Sequence, residues 1–175
     1  GFISLPPHLA FSSAISSRFV FTLTVVTSNL LYLMFTCSSA FFTDMTDGDI
    51  AAIRALSEQY KLPVVSISTS QTANMWGDND PAVREKVKAL VRKQIYFAEA
   101  LGATGILTVP GGMNDSRSLL TSWKNSVKAM KEFGEEIKGC KIKVGLENVW
   151  NAFFTSPFDM VRFLDEVDCP EYAIY

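Results

Sequence analysis

From Thr43 onward the apolar positions switch repeatedly between helical spacing and short continuous runs. Thr46-Asp47-Gly48-Asp49 has the form of a capping box, and Ile50, Ile53, Leu56 and Tyr60 follow at helical spacing. Leu62–Thr69, LPVVSIST, is short and β-branched, the pattern of a buried strand. Ser70–Asn79 is a polar loop holding Met75, Trp76 and Gly77. Asp80 then caps a helix with Pro81 in its first turn, Val83, Val87, Leu90, Val91, Ile95, Ala98 and Leu101 on its apolar face, and Gly102 at its end. Thr104–Val109, TGILTV, reads as the next strand, closed by Pro110-Gly111-Gly112. A helix over about Ser116–Lys138 buries Leu120, Trp123, Val127, Met130, Phe133 and Ile137, and Gly139 stops it.

In Lys141–Glu147, Ile142, Val144 and Leu146 alternate with Lys141, Lys143 and Gly145, the two-residue period of a pleated strand. Ser156-Pro157-Phe158-Asp159 caps a further helix carrying Phe158, Val161, Leu164 and Val167, and a last strand begins at about Tyr172. Helix–strand units of roughly 30–40 residues with buried strands imply a parallel sheet with crossover helices. Two layouts fit, a doubly wound open sheet or part of a (β/α)₈ barrel. A full barrel takes roughly 250 residues, more than the 175 here. Both layouts bind ligands at the carboxyl ends of the strands, where Thr69, Val109–Gly112 and Glu147-Asn148 fall.

The front of the chain is different. No charge occurs between Arg18 and Asp44, and Phe19–Phe35 reads FVFTLTVVTSNLLYLMF. A membrane span, a signal peptide ending near Ser38-Ser39-Ala40, and sequence foreign to the domain all compete for this stretch. Scattered Thr, Ser and Asn weaken the span, and seventeen residues ahead of Arg18 weaken the signal, which favours foreign sequence. The expected division is residues 1–41 as an unmatched apolar leader and 42–175 as the domain.

Charge and composition narrow the function classes. A net charge of −2, from 16 basic and 18 acidic residues, argues against a nucleic-acid surface. Lys86, Lys88, Arg92 and Lys93 read as one solvated helix face, and Asp165, Glu166 and Asp168 as surface charges. Three scattered cysteines, Cys37, Cys140 and Cys169, fit reduced thiols in the cytoplasm and no cysteine-built zinc site. His8 is the only histidine, which excludes a histidine-rich metal site or a histidine triad within this sequence.

Three features carry candidate chemistry. Glu147 falls where the apolar alternation stops, among Asn148, Trp150 and Asn151. It is either a loop glutamate facing water or a carboxylate used by a cation, a proton or a ligand. Pro110-Gly111-Gly112 presents backbone N–H groups to a phosphate or is an ordinary βα turn. Met75-Trp76-Gly77 is a lid or substrate platform, or else Trp76 plugs the mouth of a barrel.

The runs VREKVKALVRKQIYFAEALGATGILTVPGG and KVGLENVWNAFFTSPFDMVRFLDEVDCPEYAIY resemble the xylose-isomerase-like barrel superfamily, closest to its sugar and sugar-phosphate isomerases and epimerases of the hexulose-phosphate isomerase and xylulose-phosphate 3-epimerase type. The likeness covers about Phe42 to Tyr175, and LENVWN followed by SP is its specific part. It implies an incomplete (β/α)₈ TIM barrel spanning strands three to six, with LPVVSIST as strand three and YAIY opening strand six. It implies one divalent metal ion (Mn, Mg, Co or Zn) held in the complete protein by Glu, Asp, His and Glu, of which Glu147 matches the first and also moves a proton. The other three ligands have no counterpart here, so the resemblance implies a fragment that is inactive as it stands. Asn148, Trp150, Asn151 and Trp76 would line the pocket of a small sugar or sugar phosphate. The rival readings are a fragment of an abasic-site endonuclease-like barrel and a non-enzymatic remnant. The sugar, the metal and homo-oligomerisation stay open.

Overall fold

The computed structural model describes residues 19–26, 30–37, 45–114 and 116–175. His8, Arg18, the Ser38-Ser39-Ala40 run and the division expected near Phe42 lie outside these residues. In chain order the elements are β1 (Phe19–Val26), β2 (Leu30–Cys37), α1 (Asp47–Tyr60), β3 (Val64–Thr69), α2 (Pro81–Leu101), β4 (Gly105–Thr108), α3 (Leu119–Glu136), β5 (Lys143–Leu146), α4 (Pro157–Val167) and β6 (Tyr172–Ile174). The uncharged front run therefore contributes two strands, which was not among the readings its composition suggested. No helix among the described residues is long and apolar enough to cross a membrane.

The helix starts follow the local signals. At α1 the Thr46 hydroxyl accepts from the Asp49 N–H, and the Asp49 carboxylate accepts from the Thr46 N–H at 2.9 Å. Ser156 and Asp159 repeat this reciprocal arrangement at α4. The Asp80 carboxylate caps α2 by accepting from the Ala82 N–H at 2.8 Å, and Gly102 ends that helix with φ +74°, a conformation that costs a side chain dearly.

The six strands form one sheet in the order β1-β2-β3-β4-β5-β6. β1 pairs antiparallel with β2, and every later pair is parallel. A doubly wound sheet reverses its strand order at a switch point, where its ligand binds. Here strand order never departs from chain order, and one helix follows each of β2 to β5. That choice between the two layouts is the arrangement of part of a (β/α)₈ barrel.

Register separates the two faces of the sheet. Ile67, Ile106, Val144 and Tyr172 lie level and are buried on the helix side with Val91, Phe97, Met130 and Phe133. Ser68, Leu107, Gly145 and Ala173, one residue later, point to the opposite, inner face. Two residues further along, Glu147 and Tyr175 share that inner face.

Helix faces differ in part from the sequence pattern. In α4 the buried residues are Met160, Phe163 and Val167, whereas Phe158 and Val161 are exposed at 83% and 48%. The helix is turned so that Phe163 meets Trp123 edge-on, with ring centroids 5.0 Å apart. Leu120 is likewise exposed on α3. Lys88, expected on a solvated face, is buried on α2, its ammonium bonded to Glu85 at 2.7 Å and to Glu132 of α3 at 2.8 Å. An ammonium is tolerated there because two carboxylates receive it.

Candidate functional site at the carboxyl ends of the strands

The sheet ladder continues one residue past β5, because the Glu147 N–H donates to the Thr108 carbonyl at 3.0 Å. That bond fixes Glu147 as the last strand-like residue and sends its side chain to the inner face. The carboxylate is half-buried and has no hydrogen-bond or ion-pair partner among the described residues. Burial alone holds its pKa above the usual glutamate range. An open cleft of about 610 Å³ lies beside it, walled by the β5–α4 loop through Asn148, Trp150, Ala152 and Thr155. Trp150 is fully exposed at the rim, with its indole free of the core.

The other expected site residues divide. Glu147, Asn148 and Trp150 share the cleft. Trp76 does not reach it: the side chain is 0% exposed on the helix side, its Nε1–H donates to the Thr108 hydroxyl at 2.9 Å, and its ring packs on Phe133 at 5.6 Å. In this structure Trp76 fills the core between the β3–α2 loop and α3, which removes it from the substrate-lining set. Asn151 is half-buried behind the cleft wall, bonded to the neighbouring loops. Pro110-Gly111-Gly112 is likewise occupied by protein, since the Ser126 hydroxyl donates to the Pro110 carbonyl at 2.7 Å and the Gly112 N–H donates to the Ser122 hydroxyl at 3.2 Å.

Behind the site, the β3–α2 and β4–α3 loops are locked by residues the pattern did not single out. The Arg117 guanidinium is almost wholly buried and donates to the Asp78 carboxylate at 2.7 Å, to the Asn74 carbonyl at 3.0 Å and to the Gly112 carbonyl at 3.4 Å. The Asp80 N–H and then Arg117 hold the Asp78 carboxyl below its ordinary pKa. Asn125 adds amide bonds to the Gly77 and Asp78 carbonyls at 3.3 and 3.1 Å. The only local signal for this network was the density of Asp and Asn before Pro81, which also serves the helix cap.

Residues 29–175 match the family described as the xylose isomerase-like TIM barrel. The match begins at residue 29, just ahead of β2. No curated protein sequence matches the chain. Among solved structures, a D-allulose 3-epimerase from Methylomonas sp., in complex with D-allulose, is 25% identical with a TM-score of 0.57, covering 72% of this chain and 46% of its own. A D-psicose 3-epimerase from Clostridium cellulolyticum H10, with D-tagatose, is 18% identical with a TM-score of 0.64, over 79% of this chain and 51% of its own. A 3-keto-D-glucoside 4-epimerase from E. coli is 17% identical with a TM-score of 0.62, over 73% and 52%. The last two likenesses establish the fold. The chain spans about half the length of these structures.

Proposed function

The chain belongs to the xylose isomerase-like TIM barrel family, and from that premise we propose that it carries one part of the active site of a sugar or sugar-phosphate isomerase or epimerase. The observation that supports this most is the Glu147 carboxylate: half-buried, without a partner among the described residues, and open to a cleft at the carboxyl end of β5. Parallel α/β folds place their chemistry at that end.

Glu147 takes the proton from the carbon beside the ketose carbonyl. The C–H electron pair moves into a new C=C bond and the carbonyl π pair onto oxygen, giving an enediolate. Return of a proton to the same carbon from a second acid on the opposite face, with both acids re-equilibrating through solvent, gives an epimer. Its return by Glu147 to the neighbouring carbon, with the hydroxyl proton passing to the former carbonyl oxygen, gives an isomer. A base serves best when its pKa approaches the working pH, and the upward displacement of Glu147 is in that direction. Asn148 offers an amide to sugar hydroxyls, and the exposed Trp150 indole offers a face for the apolar side of the ring.

A divalent ion of the Mn, Mg, Co or Zn kind needs several oxygen or nitrogen donors. Among the described residues no group of three or more His, Cys, Asp and Glu is placed to hold one. Glu147 suits one corner of such a site, and a bound ion would polarise the substrate carbonyl. The described donors do not complete that site, so no step above depends on it.

The test is solvent deuterium exchange into ketoses and ketose phosphates in the presence of Mn²⁺. In a full-length barrel carrying this segment, exchange at the carbon beside the carbonyl is expected, reduced by roughly 10²-fold or more in Glu147→Gln, the range for losing a general base. Equal exchange by the variant would remove Glu147 from the chemistry. Cleavage of abasic DNA in place of exchange would move the reading to a nuclease.

A further inference from the structure

The Asn151 amide is engaged on three sides by its own protein. Its Nδ2 donates to the Asn74 side-chain oxygen at 3.0 Å and to the Gly111 carbonyl at 2.6 Å, while its Oδ1 accepts from the Phe153 N–H at 3.0 Å. A side-chain amide has two donor hydrogens, and both are taken here. These bonds join three loops that follow β3, β4 and β5. Gly112 lies against the junction: a β-carbon there would overlap the Asn74 amide oxygen and sit 3.1 Å from the Asn151 nitrogen.

The backbone beside the junction is left-handed at both of its ends, at ease in the asparagine and strained in the alanine. Asn74 has φ +61° and Ala152 has φ +56°. Left-handed backbone is unfavourable for alanine, whose Cβ crowds the following carbonyl, and persists where surrounding contacts over-determine it. Ala152 sits between Asn151, held by the amide bonds, and Phe153, whose ring is stacked on Trp123 at 5.5 Å. Ala152 also faces the cleft, together with Glu147, Asn148 and Trp150.

We propose that the Asn74–Asn151 amide pair is a clasp that sets the shape of the β5–α4 loop, so that Asn151 is a positioning residue for the cleft and leaves sugar binding to Asn148 and Trp150. The significance of the cleft rests on the function proposed above, whereas the clasp is testable without turnover. Direction is built into it: Asn74 acts as acceptor and Asn151 as donor. Asn74→Asp therefore preserves the contact, because a carboxylate oxygen still accepts from Nδ2. Asn151→Asp destroys it, because a carboxylate then faces two acceptors.

The experiment is hydrogen exchange of the Phe153 amide in the whole chain and in single variants. Asn151→Ala and Asn74→Ala are expected to exchange about tenfold faster, the factor for one lost hydrogen bond of ordinary strength. Asn151→Asp, which keeps an acceptor for the Phe153 N–H but loses the donor to Asn74, is expected to be faster than the parent, and Asn74→Asp to match the parent. Asn74 is exposed, so the Asn74 pair carries the test where an Asn151 variant fails to fold. In the deuterium-exchange assay, Asn151→Ala and Asn74→Ala are expected to lower kcat at nearly constant KM, with Asn74→Asp restoring it. Unchanged Phe153 exchange in the alanine variants, or loss of protection in Asn74→Asp, overturns the clasp. A raised KM at constant kcat in Asn151→Ala overturns it too, by making Asn151 a sugar ligand. A full-length barrel without turnover but with the expected amide pattern overturns the proposed function and supports the clasp.

Discussion

Glu147 has a raised pKa with a single cause, partial removal from water. A group that binds its proton more tightly in the folded state lends stability that is fully present below its unfolded pKa. That stability is lost as the pH rises through the higher folded value. The charged carboxylate is thus a mild liability at neutral pH, which fits the role proposed for it. Glu147→Gln should raise the unfolding midpoint at pH 7 relative to the parent, with the difference disappearing on acidification through the ordinary glutamate range. Partial exposure screens the effect, so the gain is below about 1 kcal/mol. Urea titrations at a series of pH values measure it, and a variant less stable than the parent at pH 7 would mean that Glu147 has a favourable protein partner after all.

Among the elements, α4 shows where a hydrophobic pattern decides and where packing does. Phe158 and Phe163 are equally apolar in sequence, yet Phe163 is 0% exposed and Phe158 83%. Phe163 meets the rings of Trp123, Phe153 and Phe154 at 5.0, 5.6 and 5.5 Å. Phe163→Ala should cost ~3–5 kcal/mol and Phe158→Ala well under 1 kcal/mol, read as shifts in urea midpoint at constant m-value. Comparable losses in the two would contradict this helix orientation. The caps at Thr46, Asp80 and Ser156 were legible because donor and acceptor lie within three residues of each other. The faces of α3 and α4 were legible only in part, because several rotations of an apolar helix satisfy the same spacing. The site shows the same division. Glu147 was visible because apolar alternation stops at it, whereas Arg117–Asp78 and Asn74–Asn151 join positions 39 and 77 residues apart, which no local pattern records. Leu30–Cys37 lies between Ser28-Asn29 and Ser38-Ser39, but nothing in that local pattern records which strand it pairs with, so its parallel pairing with β3 appears only in the folded sheet.

For the molecule as a whole, one side chain reports the curvature of the sheet. The Tyr175 hydroxyl, which follows β6, bonds to the Ser66 hydroxyl on β3 at 3.1 Å. The ladder places Ser66 three strands away and about four residues lower, so a flat sheet would separate their Cα atoms by roughly 19 Å. By standard bond lengths the two side chains and the bond between them span roughly 12 Å at most. The sheet therefore curls inward between β3 and β6, as a barrel wall does and a doubly wound sheet does not. Gly145 makes the crossing passable: a β-carbon there would lie 2.8 Å from the tyrosine ring and 3.1 Å from the Ile106 carbonyl. Gly145→Val should push Tyr175 off the inner face and cost ~1–3 kcal/mol, the usual range for overpacking. If the loss arises from that displacement, Tyr175→Phe and Ser66→Ala, each expected to cost about 1 kcal/mol in the parent, should cost almost nothing in the Gly145→Val background. Full additivity of the three substitutions would show that Tyr175 does not cross Gly145 in solution, and with it would go the evidence that the sheet curves around the face on which Glu147 stands.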